Sequence, residues 1–380
     1  MFSFQEFPLI FQAILALPFG LIVGSFLNVV IYRVPRGESV AFPGSHCGSC
    51  GAAIKPYDNI PLLSYLFLRG RCRACQAKIS WVYPAVELWT GLGFFAVAYR
   101  SGITGQGIAE MLFVVVMIVL VMIDYRHQLL PNVITYPAFL GVMIFAAFQF
   151  GDLSSFAPTP LFHWSLNAKL WIGVIWLLIA AVAFYGVDVL DNVLFGKYLE
   201  ISDDEEEEDP ALVGIDEDRL LRQHNRVIYT TMILGLLVVI TWVVIAFLKL
   251  RPGAIDPVWV TYAIENLFHA CLGALVGGGV IWLLRAIYFY TRGFGGMGLG
   301  DVKMMAIIGG FLGWPAALLV LILGSVLGSL TGLAQILLGK SEKGMKTRLP
   351  FGVSLGCAAL FALFYGRPII IWYLSMLKPQ

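Results

Sequence analysis

Charge is what this chain has least of. Asp, Glu, Lys and Arg make up 13% of its 380 residues against 59% hydrophobic residues, and mean hydropathy is +0.83. That balance excludes a soluble globular domain. Formal net charge is +1, so the total points to neither a nucleic acid nor an acidic partner. Strict alternation, which lipid-facing barrel strands need, is missing from the apolar runs. They mix Leu, Val, Gly and Ala and reach the roughly 20 residues that cross a hydrocarbon core as a helix. The fold class is therefore all-α, a polytopic membrane protein with about 8–10 transmembrane helices. A basic start is also lacking: the first apolar run, 8–32, is too long for a signal-peptide core and reads as a retained first helix. No H-E-x-x-H motif occurs, so a metalloprotease helix is not expected.

The charge that is present falls in blocks. Arg33, Arg36, Lys55, Arg69, Arg71, Arg73 and Lys78 crowd the polar loop 33–80, and the positive-inside rule places that loop in the cytoplasm and the N-terminus outside. Counting on, 81–99 crosses outward and 108–123 inward, ending at Asp124. The stretch 131–150 goes out, 168–190 in, 227–248 out and 265–290 in, with external loops at 151–167 and 249–264. Between 200 and 218 lies an acidic run, Asp203 to Asp209, followed by Asp216, Glu217 and Asp218. It reads as a solvated segment, because the glycine and alternating oxygen ligands of a calcium loop are missing. The apolar stretch 304–338 is broken by Gly313, Trp314 and Pro315 and reads as a short helix out and a longer one back. It delivers Lys340, Lys343, Lys346 and Arg348 to the cytoplasm, and 350–376 makes a last crossing outward.

Four of the six cysteines form two knuckles in the first cytoplasmic loop, Cys47-Gly-Ser-Cys50 and Cys72-Arg-Ala-Cys75, with 21 residues between them. Two C-x-x-C pairs at this spacing present four thiolates to one tetrahedral ion, a closed and hence structural zinc site. The rival, a pair of disulfides, is at odds with a reducing cytoplasm. His46 adjoins the first knuckle as a neighbour rather than a ligand. Cys271 and Cys357 lie in apolar helices as packing residues.

The chemistry gathers at 293–304, GFGGMGLGDVKM, where glycines carry Asp301 to the edge of an apolar run. An acid at a membrane boundary is costly enough to suggest function. Gly295, Gly296, Gly298 and Gly300 permit positive φ and close backbone approach, as a site gripping an extended peptide requires. The alternative is an interfacial loop whose Asp301 caps the next helix. By the same crossing count, Asp124 shares the cytoplasmic edge with Asp301. Two carboxylates in a partly desolvated site share a proton. The ionised one can then deprotonate water attacking a peptide carbonyl, while its protonated partner polarises that carbonyl and later serves the leaving amine. Pairing of Asp124 with Arg126 or Lys303, as a mere interfacial anchor, stays open.

The strings GSFLNVVIYRVP (24–35), YDNIPLLSYLFLRGRCRAC (57–75), YPAVEL (83–88), IDYRHQLLPN (123–132), GMGLGDVK (296–303) and LPFG (349–352) resemble the type IV prepilin peptidases, GxGD-type intramembrane aspartyl proteases. The resemblance covers most of the chain outside 151–264. It implies that Asp124 and Asp301 are catalytic, that Gly298, Gly300 and Lys303 complete the second motif, and that Cys47, Cys50, Cys72 and Cys75 hold zinc. It implies further that the chain lies in the bacterial inner membrane and cuts prepilins and pseudopilins of type IV pilus or type II secretion systems at the cytoplasmic face. Many members also N-methylate the new terminus with S-adenosylmethionine, an activity associated with the cysteine loop. Two positions depart from the pattern: Arg126 and Asn132 stand where many relatives carry acids. The chain then divides into a first helix (1–32), the zinc-binding loop (33–80), helices with the first aspartate (81–150), an inserted hairpin with the acidic segment (151–264), and helices with the GxGD motif (265–380). Competing readings are a peptidase without methyltransferase activity, a proton- or ion-coupled transporter, which would place acids at the midplane of repeated halves, and a zinc-bearing scaffold without chemistry.

Overall fold

The computed structural model of the protein describes residues 7–147, 175–190, 257–292, 298–338 and 350–377, with parts of 230–237. The regular structure among these residues is helical, and extended pairing is confined to two isolated bridges, His46 with Ala53 and Arg71 with Lys78. In chain order the helices are α1 (Leu9–Arg33), α2 (Leu63–Phe67), α3 (Val82–Ser101), α4 (Gly105–His127), α5 (Asn132–Ala147), α6 (Ile175–Leu190), α7 (Pro257–Arg292), α8 (Leu299–Leu312), α9 (Trp314–Leu337) and α10 (Phe351–Leu377). Among the described residues five spans are long and apolar enough to cross a membrane: Leu9–Arg36, Gly105–His127, Glu265–Thr291, Trp314–Leu337 and Phe351–Met376. Their outward faces expose Phe19, Ile22, Leu330 and Trp372, side chains suited to lipid rather than water. The expected external loop 151–167 and the acidic segment 200–218 lie outside the described residues, as does most of the crossing expected at 227–248.

Two compact units divide the chain, residues 1–123 with 215–220 and residues 124–214 with 221–380. In the first, α1 packs along α3 with small residues at the crossing, so that a Cβ at Gly20 would sit 2.8 Å from the Gly91 Cα. The helices approach because side chains are absent there. Buried Gln12 accepts from the Ile103 amide at 2.7 Å, and Asn28 donates to the Tyr83 carbonyl at 3.0 Å. Arg33 ends α1 and donates to the Ser39 carbonyl at 2.9 Å, and Pro35 follows to stop the helix.

In the second unit, α8 is the buried centre. All its residues from Asp301 to Leu312 are buried, and α5, α7, α9 and α10 pack around it. At ~1.5 Å per residue its fourteen residues span ~21 Å, short of the ~30 Å hydrocarbon core. Gly313, at φ +84°, ends α8, and Pro315 opens α9. This is the break expected from Gly313, Trp314 and Pro315. The helix leading to the glycine loop, by contrast, starts at Pro257 rather than near 265, so 257–264 is helix and not external loop. A proline in the first turn sacrifices no N–H that the helix needs, and the chain runs on from it as Val258-Trp259-Val260 with no helix breaker.

α7 and α8 touch backbone to backbone, since a Cβ at Gly273 would collide with the Gly309 carbonyl oxygen and one at Gly309 with that of Gly273. Gly279, on the same helix, has open space at its Cβ position. Gly273→Ala is expected to cost about 3 kcal/mol by overpacking, and Gly279→Ala to gain up to about 1 kcal/mol of helix propensity. Thermal unfolding of the two variants in detergent measures the contrast.

Candidate active site

Each of the two aspartates singled out by the sequence arrives on a helix terminus. Asp124 lies on the last turn of α4, which stops at Gln128, a residue with φ +49° whose amide donates to the Asp124 carbonyl at 2.9 Å. Asp301 lies in the first turn of α8 behind Gly298. Both are buried, at 6% and 8% exposure.

A third element brings them together. The amide of Val353, near the start of α10, donates to Asp124 Oδ2 at 3.0 Å. This N–H belongs to the first turn, whose amides have no partner within the helix, and the positive end of α10 favours the carboxylate. Room for the contact comes from Gly352, where a Cβ would stand 2.7 Å from Asp124 Oδ2 and 3.3 Å from Asp301 Oδ1. Both carboxylates thus face one spot, and Asp301 feels the charges of Asp124 and Arg285.

Gly298 and Gly300 act differently from the expectation of positive φ. Gly298 is extended at φ −71°, and Gly300 is helical. A Cβ at Gly300 would lie 2.7 Å from the Leu130 Cβ, so this glycine lets the turn that follows Asp124 seat against the helix that carries Asp301. Gly295 and Gly296 lie outside the described residues. Lys303 points elsewhere on α8. Its Nζ donates to Asn132 Oδ1 at 2.6 Å and pairs with Asp188 at 2.6 Å.

The cysteine loop forms a separate candidate metal centre in the first unit. Its two knuckles repeat one hydrogen-bond pattern: the Cys47 amide donates to Ala52 and Gly51 to Cys47, while Cys72 donates to Ala77 and Gln76 to Cys72, all at 2.8–3.0 Å. Gly51 and Gln76 hold the matching left-handed positions, at φ +70° and +58°. The Sγ atoms of Cys47, Cys50, Cys72 and Cys75 lie within 4.8 Å of one another, and Cys47 Sγ is 3.9 Å from Cys75 Sγ. Zn–S bonds of ~2.3 Å in a tetrahedron put sulfurs ~3.8 Å apart, so the set fits one metal ion. Among the described residues, which include all six cysteines, every thiol is free, as metal ligation requires. The backbone amides of Ser49 and Cys50 pull the Cys47 thiol down to about 6, towards the thiolate that a metal takes. His46 turns its Nδ1 to the Gly44 carbonyl, 3.0 Å away. The Leu62 amide donates to Glu87 of α3 at 2.8 Å and so ties the loop to the helices of its unit.

Sequence reasoning missed three participants. Gly352 was present only as the end of the LPFG string, Val353 contributes backbone alone, and Asp188 lies in a segment read as an insertion. The arrangement of Asp124, Asp301 and the α10 terminus sets two carboxyl groups beside one another, the pairing that water-mediated hydrolysis can use.

Residues 18–101 match the Bacterial Peptidase A24 N-terminal domain, and residues 224–333 match the Type IV leader peptidase family. Over nearly the whole chain, a protein of Pseudomonas putida named "Prepilin leader peptidase/N-methyltransferase" is 27% identical, covering 93% of this chain and 91% of the relative. A Myxococcus xanthus protein of the same name is 49% identical over 32% of this chain and 36% of its own length. In Escherichia coli O78:H11 a "Type 4 prepilin-like proteins leader peptide-processing enzyme" is 45% identical over 35% of this chain and 55% of its own length. No solved structure matches.

Gly352→Ala is expected to push the Asp124 carboxylate off the α10 terminus. A hydrogen bond to a charged group is worth about 1.5–3 kcal/mol, so hydrogen exchange at the Val353 amide should speed up by at least about tenfold, measured by mass spectrometry against the unaltered chain.

Proposed function

The chain belongs to the type IV leader peptidase family, and from that premise we propose that it is a membrane aspartyl endopeptidase that removes the leader peptide of prepilins and pseudopilins, with Asp124 and Asp301 as the catalytic pair. The observation that carries this reading is the convergence of both carboxylates on Gly352 at the start of α10.

One carboxylate is ionised and takes a proton from water as that water attacks the scissile carbonyl carbon. The other is protonated and donates a hydrogen bond to the carbonyl oxygen, which gains charge as the tetrahedral diol forms. Collapse of that intermediate breaks the C–N bond; the protonated partner gives its proton to the departing amine and is reprotonated by the carboxyl that took the water proton. The Val353 amide holds Asp124 in place throughout, at no reorganisation cost.

The basic residues of 33–80 support a cytoplasmic placement of that loop and of the catalytic face, with a periplasmic N-terminus in a bacterial inner membrane whose lipid contacts the apolar helix faces. Type IV pilus or type II secretion systems would then supply the substrates. Cys47, Cys50, Cys72 and Cys75 would hold a structural zinc ion, which fixes the loop fold and leaves no open position for chemistry. The relatives' printed name supports a second activity, N-methylation of the freed amine with S-adenosylmethionine as methyl-donating substrate; a peptidase-only chain is the alternative. The segment 151–264 is read as an insertion into the helical scaffold. A transporter is not favoured, because the family matches are to peptidases.

Asp124→Asn and Asp301→Asn should each lower prepilin cleavage by about 10³-fold or more while the protein stays folded in detergent. Electrophoresis of the processed product and mass analysis of its N-terminus are the measurements, and cleavage surviving in either variant removes that aspartate from the mechanism. Cys47→Ser and Cys72→Ser should each drop bound zinc from about one ion per chain to well below half, read by elemental analysis of the purified protein.

A further inference from the structure

Lys303 is 3% exposed, two residues beyond Asp301 on α8. A desolvated ammonium persists only with a counter-charge and satisfied donors, and its surroundings supply both. Nζ lies 2.6 Å from Asp188 Oδ1 and 2.7 Å from Oδ2, and it donates to Asn132 Oδ1 at 2.6 Å. The hydroxyl of Tyr136 donates to the same Asp188 carboxylate, and Nζ sits 5.0 Å from the centre of the Tyr136 ring. Phe184, one helical turn before Asp188, stacks on Phe139 with ring centres 3.8 Å apart. The knot therefore joins α5, α6 and α8. Lys303 stands at the wall of an apolar cavity of about 670 Å³ lined by Phe139, Phe184, Val187, Trp282 and Val302, while the Asp188 side chain keeps 28% exposure.

Its position gives the knot leverage. Asn132 opens α5 directly after the turn that leaves Asp124, and Leu130 of that turn seats on Gly300. Lys303 follows Asp301 by two residues on α8. Tying Asn132 to Lys303 therefore sets the register between the segments that carry the two carboxylates.

We propose that Asp188 is a positioning residue for the Asp124–Asp301 pair: α6 carries the counter-ion that locks Lys303 onto Asn132, so a helix within the stretch read as an insertion is required for catalysis. This inference rests on the peptidase reading above. Asn132 has the shape of aspartate and already places its Oδ1 on Nζ, so the negative charge can be moved from α6 to α5 without loss of contact.

The test is prepilin cleavage by the full-length chain in detergent, with kcat and KM measured separately, for the unaltered protein, Asp188→Asn, and Asn132→Asp/Asp188→Asn. Displacement of a catalytic group by about 1 Å costs about 10²-fold, so Asp188→Asn should lower kcat by that order. KM should stay within about threefold, the signature of lost transition-state stabilisation rather than lost binding. Moving the charge to position 132 should recover at least about tenfold of kcat, which a merely structural role for α6 would not produce. Unaltered kcat in Asp188→Asn, or a folded double variant no faster than the single one, overturns the proposal. Thermal unfolding of Asp188→Asn, Lys303→Met and their combination is read alongside, because it does not depend on activity. Non-additive midpoints support the ion pair and additive ones overturn it, whereas an unaltered chain that cuts no prepilin defeats the peptidase reading and leaves the pair intact.

Discussion

The hydrogen bond from the Val353 amide to Asp124 is the constraint on which the rest of the site depends. It joins residues 229 positions apart and brings a helix N-terminus, a carboxylate and a glycine to one point. Without it, Asp124 would be an acid at the end of an apolar helix with no reason to face Asp301. With it, the positive end of α10 holds one carboxylate in place, and the missing side chain at Gly352 leaves room for both acids to approach one spot.

A short helix makes this affordable in a membrane. α8 is too short to cross a bilayer alone, and it carries an aspartate and a lysine that lipid would not tolerate. Wrapping by neighbouring helices solves both problems, and glycine on each side of the α7–α8 contact lets the backbones meet. The polar side chains of α8 are then answered from within the protein, Lys303 by Asp188 and Asn132. Asp301 faces Gly352 together with Asp124.

Much of this was legible in the sequence where the signal is local. The two C-x-x-C pairs foretold a four-sulfur cluster because knuckle geometry follows from spacing alone, and the break at Gly313 followed from a glycine next to Trp-Pro. The two aspartates were legible from glycine punctuation and from their common place at helix ends. Contacts made through space were not. Nothing in LPFG reveals that its glycine lies against Asp124, because what matters there is an absent side chain and the amide that follows it. Asp188 was hidden because its partner Lys303 lies 115 positions away and its own helix falls in the stretch read as an insertion. Lys303 itself seemed a candidate partner for Asp124, whereas the carboxylate it holds is on α6. The early start of α7 was missed because the boundary was set at Glu265, past the proline that opens the helix.

The central claim is that the two carboxylates act as one unit on a tetrahedral centre. The most direct test is the affinity of a prepilin-derived peptide with a hydroxyl-bearing tetrahedral carbon in place of the scissile carbonyl. Such an analogue should bind at least about 10²-fold more tightly than the matching substrate peptide, and Asp124→Asn and Asp301→Asn should each abolish that advantage to a similar extent. An advantage that depends on only one of the two residues, or on neither, would contradict the account.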